Sequence, residues 1–246
     1  AFLSYGGPFQ MSFRSKLIAD WIYVLERNGI QISKDYSVNK VLANDQEIQT
    51  WNNQGLSKDD FNTQNALIIK SSNRWPLIID PQGQASKWLK AMYGDSLKVL
   101  DLKKKDYLRD LEIAISFGSP VLIYNVLEEL DSNLDPVLNK AVILSGSRKV
   151  LKLGDKEIDY NDNFRLFIVT KLGNPHYPPE ILAKVTLINF GTTPTGLEEQ
   201  LLGLIVTEEA PGLETKKREL TTQLFTGRNR LVELEDDILR IISGSS

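Results

Sequence analysis

The sequence predicts an α/β fold, a parallel sheet flanked by helices, and three observations carry that prediction. Short aliphatic runs recur along the chain, each bounded by polar or turn residues, as the buried strands of a parallel sheet are. Helical apolar spacing fills the intervals between them, an alternation that belongs to doubly wound domains. The 246 residues, 41% hydrophobic and 25% charged, suit one large globular domain, or one domain with an appendage.

Residues 1–30 read as an opening helix. Pro8 fits its first turn, Phe9, Phe13, Leu17, Trp21 and Leu25 fall on one face, and Gly29 stops it. Residues 31–63 are rich in Asn, Asp, Gln and Ser. They predict irregular structure with short helices, wrapped on the domain rather than forming its core, anchored by Val41, Leu42, Ile48, Trp51, Leu56 and Phe61. Strands are predicted at Ala66–Ile69, Leu77–Ile79, Leu97–Leu100, Val121–Tyr124, Leu166–Val169 and Val185–Ile188. Helices are predicted at Ala85–Met92, Tyr107–Phe117 and Leu134–Leu144. Arg148–Leu153, Gly154-Asp155 and Glu157–Tyr160 form the pattern of an inserted β-hairpin. Trp21, Trp51, Trp75 and Trp88 make no regular stripe and are expected to serve packing.

The tail differs. After Pro211-Gly212, Leu213, Leu220, Leu224, Leu231, Leu234, Ile238 and Ile241 lie on a heptad-like seam, weakened by Lys217 and Gly227. A lone seam of that length needs a partner for its apolar stripe. We therefore divide the chain into residues 1–30, a main domain over 31–208, and a protruding C-terminal helix over 209–246, one arm of a helical pair.

Composition excludes several chemistries. Lys and Arg number 29 against 32 Asp and Glu, a net charge of −3, which lacks the basic footprint of a nucleic-acid binder. No apolar run approaches a membrane span, and no secretory leader is expected from the opening residues. There is no Cys and one His, His176, so Cys-based and multi-His zinc sites are ruled out and no metal is expected. No GxSxG elbow presents a serine nucleophile. The chain opens on Ala1 rather than Met, as a segment of a longer polypeptide does.

One place has the layout of a phosphate-binding loop. The strand Leu77–Ile79 runs into Asp80-Pro81-Gln82-Gly83-Gln84-Ala85-Ser86-Lys87 and then a helix. A working loop, GxxxxGK[ST], uses glycines to aim backbone N–H groups at phosphate, a Lys to neutralise it and a hydroxyl to hold Mg²⁺. In register, Asp80 and Ala85 replace the two glycines, Ser86 the Lys and Lys87 the hydroxyl; only the intermediate Gly83 remains. Gly-Lys occurs nowhere in the chain. Asp80 places a carboxylate where phosphate would lie, and Lys87 reads as a solvated helix lysine. The strand Val121–Tyr124 resembles a Walker B strand, yet Asn125-Val126 follow it instead of Asp-Glu, and Glu128 and Glu129 lie farther on. Two independent defects argue against phosphoryl transfer and against a nucleotide cofactor here.

The stretch Arg74–Trp88 closely resembles the fifth AAA+ module of dynein heavy chains. So do Ser4–Phe9, Asp131–Val137, Leu153–Glu157, Asn174–Tyr177 and Val185–Phe190, in one order along the chain. The wording around His176 and in Leu151–Glu157 is similar to axonemal (ciliary) dyneins. The resemblance implies an AAA+ type P-loop NTPase fold in a ring of six modules, of which this one does not bind nucleotide while others carry ATP and Mg²⁺. It implies that Leu213–Ile241 is the first arm of the buttress, which reaches the microtubule-binding stalk. It also implies partners: the fourth and sixth modules, the linker and stalk of the same heavy chain, the microtubule through the full-length motor, and dynein intermediate and light chains. The expected location is the cytoskeleton of a ciliary or flagellar axoneme. Lys184 resembles the position of a trans-acting finger toward the fourth module, and Asn174, in the loop with His176, that of a residual sensor. The expected function is a structural module that couples ring movements to the stalk. The alternatives are a regulatory ATP- or ADP-binding module, which the missing Gly-Lys disfavours, and a free-standing scaffold.

Overall fold

The computed structural model describes residues 1–33, 36–104, 106–146, 148–154, 156–192 and 194–210, and isolated positions from Gly212 to Ile238. These fall into two units, Ala1–Thr192 and Thr193–Ser246.

The first unit is built on five parallel strands: β1 (Trp75–Ile79), β2 (Lys98–Leu100), β3 (Pro120–Ile123), β7 (Arg165–Thr170) and β8 (Val185–Asn189). Their spatial order is β2-β3-β7-β1-β8, with β1 and β7 side by side in the interior. Parallel pairing aligns Ile79 with Thr170 on one side and Asn189 on the other. Alternation along each strand feeds two cores. Leu77, Val121, Ile123, Leu166 and Ile168 face one side, packed with Leu111, Ile115 and Phe164. Ile78, Leu122, Phe167, Val169 and Ile188 face the other, packed with Leu67, Trp88 and Leu89. Both faces are covered, so the strands carry unbroken aliphatic runs, which is why they were legible.

The helices on these faces are α5 (Asp60–Ser71), α6 (Gln84–Tyr93) and α7 (Tyr107–Phe117). Helix α7 closes on Gly118 at φ 73°, a left-handed C-cap that glycine adopts without steric cost. The expected strand Ala66–Ile69 lies inside α5 instead. Asp59 caps that helix, its Oδ1 accepting from the Asn62 N–H at 2.8 Å, and the apolar run is its core-facing end. A four-residue apolar run suits a buried helix as well as a strand, and the cap decided.

Before α5 come α3 (Val38–Leu42) and α4 (Asp45–Asn53). This region contributes more to the core than its polarity suggested: Val38, Trp51, Leu56 and Phe61 are buried, whereas Val41 is exposed. The opening helix is split into α1 (Phe2–Tyr5) and α2 (Met11–Arg27), and Pro8 precedes α2 rather than sitting in its first turn. The break is forced by packing. A Cβ on Gly7 would lie 2.2 Å from the Leu187 carbonyl oxygen, and the Gly7 oxygen accepts from the Asn189 N–H.

The predicted apolar stripe of the opening helix is buried only in part, with Leu17 half-buried and Trp21 packed against the core. Phe9, Phe13 and Leu25 are exposed, and the fully buried residue is Arg14. Its guanidinium donates to the Gly7 and Phe9 carbonyls, both at 2.9 Å, and to Asn65 Oδ1 at 2.6 Å, and lies 4.5 Å from the Phe61 ring centre. Burial lowers its pKa to about 10.

The helix expected over Leu134–Leu144 is cut short. Helix α8 (Asp135–Leu138) ends before Lys140, which has φ 49°, and Val142–Ser145 forms strand β4. β4 pairs antiparallel with β5 (Arg148–Leu153), and β5 with β6 (Lys156–Asp159), so the predicted hairpin supplies the central strand and one edge of a three-stranded sheet. Leu151 and Leu153 anchor it to the core. A short helix α9 (Pro179–Lys184) leads into β8.

The second unit starts at Thr193, ahead of the boundary we placed at 208/209. Its helix α10 (Pro194–Glu209) begins well before Pro211-Gly212 and carries exposed Leu197, Leu201, Leu202, Leu204 and Ile205. Of the heptad seam, Leu220, Leu231, Leu234 and Ile238 are helical and exposed; Leu213, Lys217, Leu224 and Ile241 lie outside the described residues.

Candidate functional site

In an open parallel sheet, ligands bind beyond the carboxyl ends of the strands. The turn leaving β1 lies there. Asp80 is fully buried, and its N–H donates to the Thr170 carbonyl at 2.8 Å. Its carboxylate turns back onto the start of α6. Oδ2 accepts from the Ser86 backbone N–H at 2.9 Å and from the Ser86 Oγ–H at 2.8 Å, while Oδ1 has no hydrogen-bond partner. Gly83 stands at the N-cap with φ 75°, which bends the chain into the helix. Ala85 is buried, and Lys87 is exposed. The N-terminus of a helix offers N–H donors to phosphate. Here the chain's own carboxylate takes one of them, at the position a phosphate-binding lysine would hold.

The end of β3 is likewise diverted. Asn125 is exposed in a left-handed conformation, φ 56°. Val126 turns into the core, and its N–H donates to Val169 O at 3.2 Å. Glu128 is engaged by the His176 backbone N–H at 2.7 Å, and Glu129 is exposed. Asn174 is exposed on the loop after β7. The residue that ends β7 beside Asp80 is Thr170, buried, with its hydroxyl accepting from the Leu172 N–H at 3.2 Å. Lys184 donates to Asp135 Oδ1 at 2.8 Å, a half-exposed ion pair of the kind worth about 0–1 kcal/mol.

A cleft of about 750 Å³ opens beside these strand ends. Among the described residues, Asp101, Glu128, Glu129 and Asp131 line it, against the cation Lys103. The Tyr107 hydroxyl donates to Asp131 Oδ2, and the Asn133 N–H donates to Oδ1 at 2.9 Å. The Tyr107 bond is the main cause that holds the Asp131 carboxyl below its ordinary value, with the Asn133 bond next. Burial, then Asp131, pushes the Tyr107 hydroxyl up. A polyphosphate entering this cleft meets like charge on most sides.

Residues 49–246 match the family described as the ATP-binding dynein motor region. The chain belongs to that dynein family. Over 245 residues it is 48% identical to mouse dynein axonemal heavy chain 2. It is 45% identical over 246 residues to the Chlamydomonas reinhardtii dynein-1-beta heavy chain of the flagellar inner arm I1 complex, and 45% over 248 residues to a ciliary dynein beta chain of Tripneustes gratilla. Each alignment covers 99–100% of this chain but 6% of the relative. The chain is thus a small part of the length of the dyneins it matches.

Within this dynein motor region, sequence reasoning singled out the turns after β1 and β3 but not what their side chains touch. Asp80 was readable as a repulsive charge; that it caps α6 in cis depends on the turn at Gly83. Thr170 gave no signal, being one of several apolar-strand residues. Nor did Arg14, whose partners lie at positions 7, 9 and 65.

Proposed function

We propose that this chain is a non-catalytic, structural AAA+ module of an axonemal dynein motor, the fifth of the ring. In this reading it passes ATP-driven movements of other modules to the microtubule-binding stalk. The observation that carries the reading is the Asp80 carboxylate, which occupies Ser86 donors at the head of α6. Val126, buried where a catalytic carboxylate belongs, supports it. ATP and Mg²⁺ would then act in other modules. The long helix from Pro194 onward, with its exposed leucines, is read as leading into the buttress. Neighbouring fourth and sixth modules, the linker and the stalk are the partners in cis; the microtubule and the intermediate and light chains are partners of the full-length motor. The names of the relatives, axonemal, ciliary and flagellar, support placement in an axoneme.

The test is equilibrium binding of labelled ATP and ADP to the chain, with and without Mg²⁺. No saturable binding at millimolar nucleotide is expected, in the wild type or in Ser86→Lys. Mg²⁺-dependent binding at micromolar nucleotide, lost on Gly83→Val, would overturn the structural reading in favour of a regulatory nucleotide module.

A further inference from the structure

The opposite edge of the sheet carries a second cavity, of about 500 Å³, at the N-terminal ends of β1 and β7. Trp51, Trp75, Trp88, Tyr93 and Phe167 form aromatic walls. Four cations line it: Lys70, Arg74, Lys140 and Arg165. Lys70 is neutralised by Glu47 at 2.5 Å. The other three have no carboxylate partner among the described residues. Lys140 donates to the Asn73 carbonyl at 2.5 Å and lies 4.1 Å from the centre of the Trp75 ring. Arg165 donates to two backbone carbonyls, Asp162 at 3.0 Å and Phe164 at 2.8 Å. Arg74 is exposed and makes no hydrogen bond or ion pair among the described residues. Burial, then Arg165, lowers the Lys140 pKa.

The aromatic walls are closely packed: Trp88 is 1% exposed and meets Trp51 edge-on at 6.1 Å. Exposed cations at the rim of a crevice with aromatic walls suit a group that is anionic at one end and apolar along its length. A phosphate group fits less well, because it is more strongly hydrated and has no apolar part to set against the rings.

We propose that this cavity is a docking site for an acidic peptide segment that presents carboxylates beside an aromatic or aliphatic side chain. The apolar side chain packs against Trp75, Trp88 and Phe167. A carboxylate pairs with Lys140 and Arg165. Charge complementarity selects the partner, in a chain whose overall charge is negative.

The test uses the ¹⁵N-labelled chain and the probe peptide acetyl-Glu-Glu-Phe-Glu-Glu-amide, read by the indole N–H resonance of Trp88, assigned with Trp88→Phe. A saturable shift of that resonance is expected, weakened at least about tenfold with the Gln-for-Glu peptide and in Arg165→Gln. It should weaken further as salt is raised. Arg74→Gln, at an exposed residue that supports no neighbour, should reduce binding with an unchanged thermal midpoint. No shift at 10 mM peptide, at a concentration corresponding to binding weaker than about −3 kcal/mol, overturns the site. An equal response to the Gln peptide, or to inorganic phosphate alone, overturns the acidic-peptide assignment.

Discussion

The two edges of the sheet are built with opposite charge. Beyond the carboxyl ends of β1, β2, β3 and β7 stand Asp80, Asp101, Glu128, Glu129 and Asp131. At the amino ends of β1 and β7 stand Lys70, Arg74, Lys140 and Arg165. A parallel sheet ordinarily receives its ligand at the first edge. Here the Ser86 donors at that edge are taken in cis by Asp80, and the rim is acidic, while the second edge carries three cations with no carboxylate partner among the described residues. The contrast teaches that a turn with the layout of a phosphate-binding loop can be satisfied from within, by a carboxylate of the same chain on the Ser86 donors.

The largest effect should come from the amino edge. Trp75 donates its indole N–H to the Val137 carbonyl at 2.8 Å, packs edge-on against Phe164 at 5.6 Å and seats Lys140. Trp75→Ala should lower unfolding stability by about 3–5 kcal/mol, measured by urea titration. A loss under about 1 kcal/mol would mean that the aromatic wall is a surface feature, and the contrast between the edges would fail.

At the carboxyl edge, Asp80→Ala removes both bonds to Ser86 and leaves its backbone N–H without an acceptor. The expected cost is about 1–3 kcal/mol. Asp80→Asn retains an acceptor at that point and should cost less than about 1 kcal/mol, because the buried charge with its unpaired Oδ1 is removed too. Equal costs in the two variants, by chemical denaturation, would show that charge rather than hydrogen bonding holds the turn.

Legibility followed the range of the forces involved. Strands β1, β3, β7 and β8 were readable because burial on both faces writes an aliphatic run into consecutive residues, and α7 was readable from spacing and Gly118. The run Ala66–Ile69 carried no information to separate helix from strand; the Asp59 cap did, seven residues upstream of it. At the site, the identities of Asp80, Ser86 and Val126 were plain from motif register, and Asn174 and Lys184 were offered by resemblance. That Asp80 folds onto Ser86 was invisible, because a dihedral angle at Gly83 sets it. The amino-edge cavity was invisible for another reason. Its cations come from positions 70, 74, 140 and 165, which no local motif joins.

A smaller effect isolates the turn itself. A Cβ on Gly83 would meet nothing within 4 Å, so only its φ of 75° opposes substitution. Gly83→Ala should therefore cost about 1 kcal/mol, and the thermal midpoint should fall by a few degrees. A larger loss would mean that the cap geometry of Asp80 depends on this residue, which would sharpen the role given to the turn.

The smallest effect concerns the acidic cleft and is read by pH. In the folded chain the Asp131 carboxyl is held below 3.8, first by the Tyr107 hydroxyl and then by the Asn133 N–H. In the unfolded chain both bonds are gone. The group's contribution to stability is therefore complete above its ordinary value and is lost as pH falls through the folded value. Tyr107→Phe removes the larger cause, so the carboxyl should titrate nearer 3.8 and its part of the acid limb should flatten. At neutral pH the stability change should stay below about 1 kcal/mol, since solvent screens Asp131. Carbon-detected titration of the Asp131 carboxyl measures this directly. If its midpoint does not move in Tyr107→Phe, the backbone donor of Asn133 alone holds the charge, and the Asp131 carboxylate is kept ionised by the main chain rather than by the cleft wall.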